Sequence, residues 1–481
     1  MTNPPAGQDK LLDKPLEIVV LAAGQGKRMR SALPKVLHPL AGRSMLSHVL
    51  TTARALEPTR IHVVVGHQGN LVRESIEADP ALAGVPLNWV EQAEQRGTAH
   101  AVSQALPDID DGSVVLVTYG DVPLVREPTL CRCASAAAEG ALALVTAEFA
   151  DPAELGRIVR DASGAIRAIV EFADADQAQR GIREINSGIL ALGGAQLREL
   201  LGRIQPHNRQ GEYYLTDLVS LAVDRNVPVV GLLCREPFDV TGINDRIQLA
   251  AVEREFQRRL AEELMSAGVT IADPARIDVR GTVEAGPDCF LDVNVVLKGR
   301  VRLGRGVTIG PGCVVVDSEL GDGVFLDAHT VVEGLHAGAG CVLGPFARIR
   351  PGTELAEQVK IGNFVEAKKA KLGRGTKASH LTYLGDATLG EHCNVGAGTV
   401  TCNYDGINKH QTTIGDGVFV GTNSTLVAPL EIAAGSYVAA GSTITSRVDR
   451  DELAIGRARQ RNISGWTRPD QRPSKGESED D

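Results

Sequence analysis

Two hydrophobic rhythms divide this chain. In the first half, short β-branched runs (Ile18 to Leu21, Ile61 to Val65, Val114 to Thr118, Leu142 to Thr146) alternate with more polar stretches, and Met45 to Leu56 has helical apolar spacing. Continuous apolar runs of that length predict strands buried on both faces. Strand, helix, strand in that order predicts a mainly parallel sheet with right-handed crossovers. Ligands of such sheets sit beyond the carboxyl ends of the strands, so chemistry is sought in the loops directly after them.

From Gln248 to Ala267 one charged amphipathic helix is predicted, its stripe formed by Leu249, Val252, Phe256, Leu260 and Leu264. It ends near Gly268 and reads as a linker, giving an organisation of 1–246, a helical linker at 247–267, a second domain at 268–466 and a tail at 467–481. Past the linker the rhythm changes to six. Leu291, Leu297, Leu303, Ile309 and Val315 fall six apart, as do Ile414, Val420, Leu426, Ile432, Val438 and Ile444, with pairs such as Leu303-Gly304, Leu343-Gly344 and Ile361-Gly362 punctuating the stretch. Neither a helix nor an ordinary strand has that period. A hexapeptide repeat builds a parallel β-helix, in which each six residues make one flat face, the aliphatic residue points into a narrow prism and glycine permits the turn. The phase slips between Val315 and Leu320 and again between Thr401 and Ile414, so a loop is expected to leave the solenoid around Asn403 to His410. The charged stretch from Arg468 to Asp481 is expected to be disordered.

Composition sharpens this picture. The chain has 52 glycines in 481 residues and only 4% aromatics, as a prism too narrow for rings requires. Its net charge of −10 argues against nucleic acid held by bulk electrostatics, so any phosphate must meet a local site. The apolar stretch Ile18 to Ala23 falls far short of a membrane span, and Met1 to Lys14 lacks a signal-peptide core, so a cytoplasmic protein without a membrane partner is expected. The eight cysteines contain no pair of C-x-x-C motifs and read as reduced, mostly packed thiols.

The first strand runs into Leu21-Ala22-Ala23-Gly24-Gln25-Gly26-Lys27-Arg28-Met29, followed by Pro34-Lys35. Small residues after a strand let backbone N–H groups approach a nucleotide, and Arg28 and Lys35 supply charge for its phosphates. The G-x-G alone is equally an ordinary strand-loop turn, and neither a Walker A loop nor a complete dinucleotide fingerprint is present. Further along come Gln92-Ala-Glu-Gln95-Arg-Gly97-Thr98, Tyr119-Gly120-Asp121-Val122-Pro123, Gly156-Arg157-Ile158, Val170-Glu171, Glu184-Ile185-Asn186-Ser187-Gly188 and Gly242-Ile243-Asn244-Asp245-Arg246. In order and spacing this set resembles the sugar-phosphate nucleotidyltransferases. Joined to a hexapeptide-repeat half, the chain from about Leu16 to Trp466 resembles the bacterial bifunctional N-acetylglucosamine-1-phosphate uridyltransferases and glucosamine-1-phosphate acetyltransferases.

That resemblance implies a Rossmann-like α/β nucleotidyltransferase domain followed by a left-handed parallel β-helix of hexapeptide repeats. It implies a nucleotide pocket at Leu21, Ala22, Ala23, Gly24, Lys35, Gln92, Gly97, Thr98, Tyr119, Gly120 and Asp121, beside the Arg28 read above from its charge. Sugar contacts fall on Gly156, Glu171, Asn186 and Asn244, and Mg²⁺ ligands on Asp121 and Asn244, both hard oxygen donors. Two departures stand out. Lys27 replaces a small polar residue and is expected to add charge near the phosphates, and Ala99 replaces a glycine and is expected to stiffen its loop.

In the second half, Arg350 and Lys368 lie eighteen residues apart, one coil of a hexapeptide prism, and so share a wall suited to a sugar phosphate. A purely structural prism has no need of Arg350, Lys368, His380 and Tyr383 on successive coils. The resemblance makes His380 the base of acetyl transfer, lines the sugar-phosphate site with Arg350, Lys368, Tyr383 and Asn394, and lines the acetyl-CoA site with Ala397, Asn403, Tyr404, Thr422, Ala440 and Arg457. Thr422 stands where the family has serine and keeps the hydroxyl. The implied reactants are acetyl-CoA, glucosamine 1-phosphate, UTP and N-acetylglucosamine 1-phosphate, and the implied assembly is a homotrimer. Two other readings stay open on sequence: a monofunctional nucleotidyltransferase whose β-helix only regulates it, and a hexapeptide scaffold without chemistry.

Overall fold

The computed structural model describes residues 14–471, so the expected tail lies, from residue 472 onward, outside the described residues. Two compact units emerge. One extends through Leu264 and takes in Pro274–Thr282, and the other consists of Met265–Asp273 and the chain from Val283 onward.

The first unit is built on one sheet. Its strands run in the order Val229–Cys234, Leu142–Glu148, Glu184–Gly193, Val114–Tyr119, Leu16–Leu21, Arg60–Val65 and Leu87–Glu91, with a hairpin of Arg157–Arg160 and Ile166–Val170 attached to Glu184–Gly193. Parallel pairing dominates, as the apolar runs predict; along the main path only Glu184–Gly193 runs against its neighbours. All six residues of Leu16–Leu21 are buried because helices cover both faces. Ile18 and Val20 pack with Leu46, Val49 and Leu50 of Met45–Ala55 and with Leu130 and Ala137 of Glu127–Ala138. Val19 and Leu21 pack on the other face with Val102 and Ala105 of Thr98–Ala105 and with Leu197 and Leu218. Each such side chain contributes roughly 1.5–3 kcal/mol by leaving water, which is why these strands show no polar alternation. The helix Met45–Ala55 starts where Ser44 accepts a hydrogen bond from the Ser47 amide. Ala99 lies in the first turn of Thr98–Ala105 rather than in a loop, buried, with its amide donating to the Tyr213 carbonyl at 3.0 Å.

The long helix is Arg246–Ser266. Of its apolar stripe only Val252 is fully buried. Gln257 shares the contact face: its amide donates to the Val279 carbonyl at 2.8 Å and accepts from the Val279 amide at 2.7 Å, so the helix docks partly through polar pairing. Hydrophobic spacing alone does not reveal that.

In the second unit, strands mostly of two to four residues stack in parallel. Every position of the two six-residue runs is buried inside the prism. Ile309 stacks on Leu326 and Val315 on Val332, seventeen residues on, whereas Ile349 stacks on Ala367, eighteen on. The phase slip after Val315 is therefore a coil one residue shorter, absorbed at a corner. The second slip is an insertion: Leu389 stacks on Ile414 and Val395 on Val420 while the chain between Cys402 and Thr412 forms a loop closed by a Tyr404–Lys409 bridge. Cys289, Cys313, Cys341 and Cys393 point inward, each Sγ within 3.0–3.1 Å of a carbonyl of the following coil. Burial pushes these thiols up, Cys313 to about 11, so they are packing groups; all eight cysteines are free.

Candidate active sites

In the first unit the strands Leu16–Leu21 and Val114–Tyr119 end side by side, Leu21 in register with Tyr119. Their following residues are cross-tied: the Gly120 amide donates to the Leu21 carbonyl at 2.9 Å and the Ala22 amide to the Val64 carbonyl at 2.8 Å. A cleft of about 400 Å³ opens there, bordered by Leu21 to Gly24, Lys35, Gln92, Gly97, Thr98, Tyr119, Asp121 and Asn244. This brings together most of the nucleotide positions expected from the sequence and adds Gln95 and Glu212 to the wall. Gln95 donates to the Ala23 carbonyl at 2.6 Å, fixing the first loop, and Gln92 donates to the Gly97 carbonyl at 3.2 Å. Arg28 sits exposed on the short turn Lys27–Met29 and does not border the cleft. Gly120 packs behind it against Leu46 and Val36.

The Lys35 ammonium pairs with the Asp121 carboxylate and donates to Asn244 Oδ1 at 3.1 Å. Two hard oxygens from distant segments thus converge on one cation. That donor set fits Mg²⁺, which takes few protein ligands and completes its shell with water and substrate phosphates. Among the described residues no group of three or more His, Cys, Asp or Glu side chains forms a metal cage.

The expected sugar contacts form an adjoining cluster. The Asn186 amide donates to the Gly156 carbonyl at 2.9 Å, and a Cβ on Gly156 would lie 3.2 Å from Glu171 Oε2. Glu171 accepts from Thr216 Oγ1 at 3.1 Å, and burial raises its pKa above the usual carboxylate range. Tyr119 joins cleft and cluster: burial, then Glu171 and Asp121, push its phenol far above the ordinary tyrosine value. Its ring lies on Gly188, which has φ +85° and where a Cβ would stand 2.5 Å from the ring edge.

On the β-helix, Asn363 and His380 are register partners, and His380 Nδ1 lies 2.7 Å from Asn363 Oδ1. An amide oxygen only accepts, so the hydrogen sits on Nδ1 and the lone pair remains on Nε2. One strand over, the Glu366–Lys368 segment stacks on Tyr383–Gly385. The Arg350 amide donates to the Ala367 carbonyl at 2.8 Å and its guanidinium pairs with Glu366 at 2.9 Å, placing Arg350 beside Lys368 as the coil spacing predicts. Tyr383 folds its ring over Gly385, the register partner of Lys368; a Cβ there would lie 2.4 Å from the hydroxyl. Lys409, delivered by the extruded loop, crowds Lys368 and with Arg350 lowers its pKa. Three cations on one wall make a site for a doubly charged anion.

The acetyl-CoA positions divide in two. Ala397, Thr422 and Ala440 occupy the same corner of successive coils, linked by Asn423 N–H to the Ala397 carbonyl at 2.7 Å and Gly441 N–H to the Thr422 carbonyl at 2.8 Å. The Arg457 stem packs at Gly441 beside them. Asn403 and Tyr404 lie on the loop, Asn403 donating to Asp386 and Tyr404 largely exposed. Asn394 stands on the prism face that carries Asn363 and His380, in register with Lys377 and Phe419. Sequence reasoning did not single out Asn363, Glu366 or Lys409. The seventeen-residue spacing to His380 is a signal for Asn363, whereas Lys409 lies outside the repeat and is marked only by its place in the loop expected at Asn403 to His410.

The family of MobA-like NTP transferase domains matches residues 18–189. The bifunctional protein GlmU of Marinobacter nauticus is 53% identical over 455 residues, covering 95% of this chain and 99% of that protein. GlmU of Alkalilimnicola ehrlichii is 52% identical over 469 residues, covering 98% and 100%. GlmU of an Azoarcus species is 50% identical over 454 residues, covering 94% and 99%.

Proposed function

The chain belongs to the family of the bifunctional GlmU proteins, uridyltransferase and acetyltransferase in one polypeptide that makes UDP-N-acetylglucosamine, and from that premise we propose how its two sites divide the work. The β-helix acetylates glucosamine 1-phosphate. Arg350, Lys368, Lys409 and Tyr383 hold the phosphate and the sugar, with Asn394 as a further sugar contact. His380 Nε2 takes a proton from the amine, the nitrogen attacks the thioester carbonyl, and the CoA thiolate leaves and is protonated. Asn363 keeps the imidazole in the tautomer that can accept. Acetyl-CoA lies along Ala397, Thr422, Ala440 and Arg457, with Asn403 and Tyr404 closing over it.

The α/β unit, over about 1–246 with the helix 247–267 leading to the β-helix, then couples N-acetylglucosamine 1-phosphate to UTP. Leu21 to Gly24, Gln92, Gly97, Thr98, Tyr119 and Gly120 seat the nucleotide. Gly156, Glu171 and Asn186 hold the sugar so that its phosphate oxygen faces the α-phosphorus, and pyrophosphate leaves. Nucleotidyltransferases of this kind depend on a divalent metal, and we assign Mg²⁺ to Asp121 and Asn244, where it would neutralise developing charge. Lys35 adds a fixed positive charge, and Arg28, exposed on its turn, is available to the leaving pyrophosphate.

A cytoplasmic location suits these substrates, and among the described residues no helix is long and apolar enough to cross a membrane. Assembly as a homotrimer is supported by exposed apolar side chains along the solenoid: Phe346 and Phe364 stack at 5.6 Å beside Leu381, and Phe419 and Tyr437 at 4.4 Å.

The observation that supports the reading is that each unit separately holds its own polar cluster, Lys35–Asp121–Asn244 in one and Asn363–His380 with the cationic wall in the other. Incubation with glucosamine 1-phosphate, acetyl-CoA, UTP and Mg²⁺ tests it: N-acetylglucosamine 1-phosphate should appear first and be consumed as UDP-N-acetylglucosamine and pyrophosphate form. Final product without acetyl-CoA consumption would overturn the proposal.

A further inference from the structure

Asp121 and Asn244 are carried by two short segments that run together away from the cleft, Asp121 to Arg126 and Asn244 back to Asp239, six residues each. These segments are tied at three levels. Beside the donors, the Ile243 amide donates to the Asp121 carbonyl at 3.0 Å, and the Asn244 amide donates to Gln248 Oε1 at 2.7 Å. Midway along the first segment, Leu124 is buried in one apolar cluster with Ile243, Leu40, Met45 and Val252. At the far end is a carboxylate that the chemistry described above does not use. Asp239 is only 1% exposed; its Oδ2 accepts from Arg126 Nε at 2.6 Å and its Oδ1 from Arg259 Nη1 at 2.7 Å. Arg259 is itself held by Glu255 at 2.7 Å on the long helix.

A buried carboxylate is costly unless fully paired, and removing one partner of such a pair is strongly felt. Here both oxygens are engaged, one by the segment that carries Asp121 and one by the long helix, while Asp239 belongs to the segment that carries Asn244. We infer that Asp239 is a positioning residue for uridyl transfer: its clamp to Arg126 and Arg259 fixes the spacing of the two oxygen donors Asp121 and Asn244. The inference rests on reading those two residues as the divalent-ion donors. Arg126 and Asp239 touch neither donor, so their effect passes through the two backbone segments, as outer-shell partners of metal ligands act.

Arg126 gives the cleanest test, because its side chain is 56% exposed and Asp239 keeps Arg259 when it is removed. The probe is Mn²⁺, titrated by electron paramagnetic resonance into the full-length protein with UTP and no sugar phosphate, so that no turnover occurs. Arg126→Ala should weaken Mn²⁺ binding on the order of 10-fold, Arg126→Lys should recover much of the loss, and Asp239→Asn should be at least as severe as Arg126→Ala. Acetyl transfer should stay at the wild-type rate in all three, and the Mn²⁺ concentration that half-activates uridyl transfer should rise in parallel with the binding constant. Should Asp239→Asn fail to fold, Arg126→Ala decides alone. If Arg126→Ala binds Mn²⁺ as wild type does while Asp121→Ala loses it, the clamp is only structural and the inference is overturned. If Asp121→Ala also binds normally, the donor assignment itself fails, and the inference with it.

Discussion

The two units gather their polar residues in opposite ways. In the α/β unit, residues from Leu21 to Asn244 meet because parallel strands end on one edge and release their loops into a common cleft. In the β-helix, neighbours in space are neighbours in register: Asn363 faces His380, and the Arg350 amide reaches the Ala367 carbonyl beside Lys368. The first site is set by loops that follow different strands; the second is set by the integer length of a coil. The exception is instructive, because Lys409 reaches the cationic wall on the only long insertion between Leu389 and Ile414. Where the solenoid needs a charge its register does not supply, a loop brings it.

If the two sites are independent, single substitutions should remove one activity and spare the other. The largest effect is expected for His380→Ala: acetyl transfer should fall by roughly 10² to 10⁴-fold, the usual cost of a missing general base, with uridyl transfer unchanged. Acetyl-CoA consumption and pyrophosphate release, measured on the same sample, check both halves. Asp121→Ala should do the reverse, lowering uridyl transfer on the order of 10²-fold or more while acetylation proceeds. A variant that lost both activities without losing its fold would show that the sites are coupled.

A smaller effect sharpens the register argument. Asn363→Ala leaves the cationic wall in place but frees the imidazole to turn and exchange tautomers. Acetyl transfer should drop roughly 10-fold through kcat rather than KM, since misorientation of a reacting group is felt in the chemical step. Asn363→Asp should restore the rate, because a carboxylate oxygen also accepts from Nδ1. A KM effect alone would mean that Asn363 contacts substrate instead.

How much of this could be read from the chain depends on whether a residue obeys a period. The inward stripe of the prism was legible through Val315 and from Ile414 onward because one aliphatic residue every six admits no other structure, and even the slips marked a short coil and an insertion. The sheet was legible because doubly buried strands leave no polar alternation. The linker helix was read only in part: its spacing pointed to Leu260 and Leu264, whereas Gln257 and Ala261 take the buried positions, because a polar pairing with Val279 has no hydrophobic signature. Asp239 was invisible for a related reason. A lone acid ten residues before the helix stripe looks like a surface residue until the fold brings Arg126 and Arg259 to it. The cleft residues were found by resemblance and by strand ends, and Arg28, recognised by motif, lies outside the cleft wall.

The smallest expected effect falls on Glu171, where stability and chemistry pull apart. Burial is the main cause of its raised pKa, opposed by the Thr216 hydroxyl that donates to Oε1. A carboxyl whose folded pKa lies above its unfolded value contributes stability that is complete below the ordinary carboxylate range and is lost as pH rises through the folded value. Near neutral pH the wild-type protein therefore carries the cost of a buried charge, and Glu171→Gln, which keeps the shape and an acceptor for Thr216, removes it. We expect the variant to be more stable by about 1 kcal/mol, a rise of about 2–4 °C for a unit of this size. The gain should shrink as the pH is lowered toward the ordinary carboxylate range, where the wild-type side chain is protonated too. Uridyl transfer should show the opposite: if the carboxylate beside Gly156 holds a sugar hydroxyl, the KM for N-acetylglucosamine 1-phosphate should rise roughly 10-fold, as for loss of a charge-assisted hydrogen bond. Thermal unfolding at two pH values and a sugar-phosphate titration at saturating UTP measure the two sides. A variant less stable at neutral pH, or one whose advantage grew in acid, would show that the charged carboxylate is held favourably after all and that its pKa is not raised by burial.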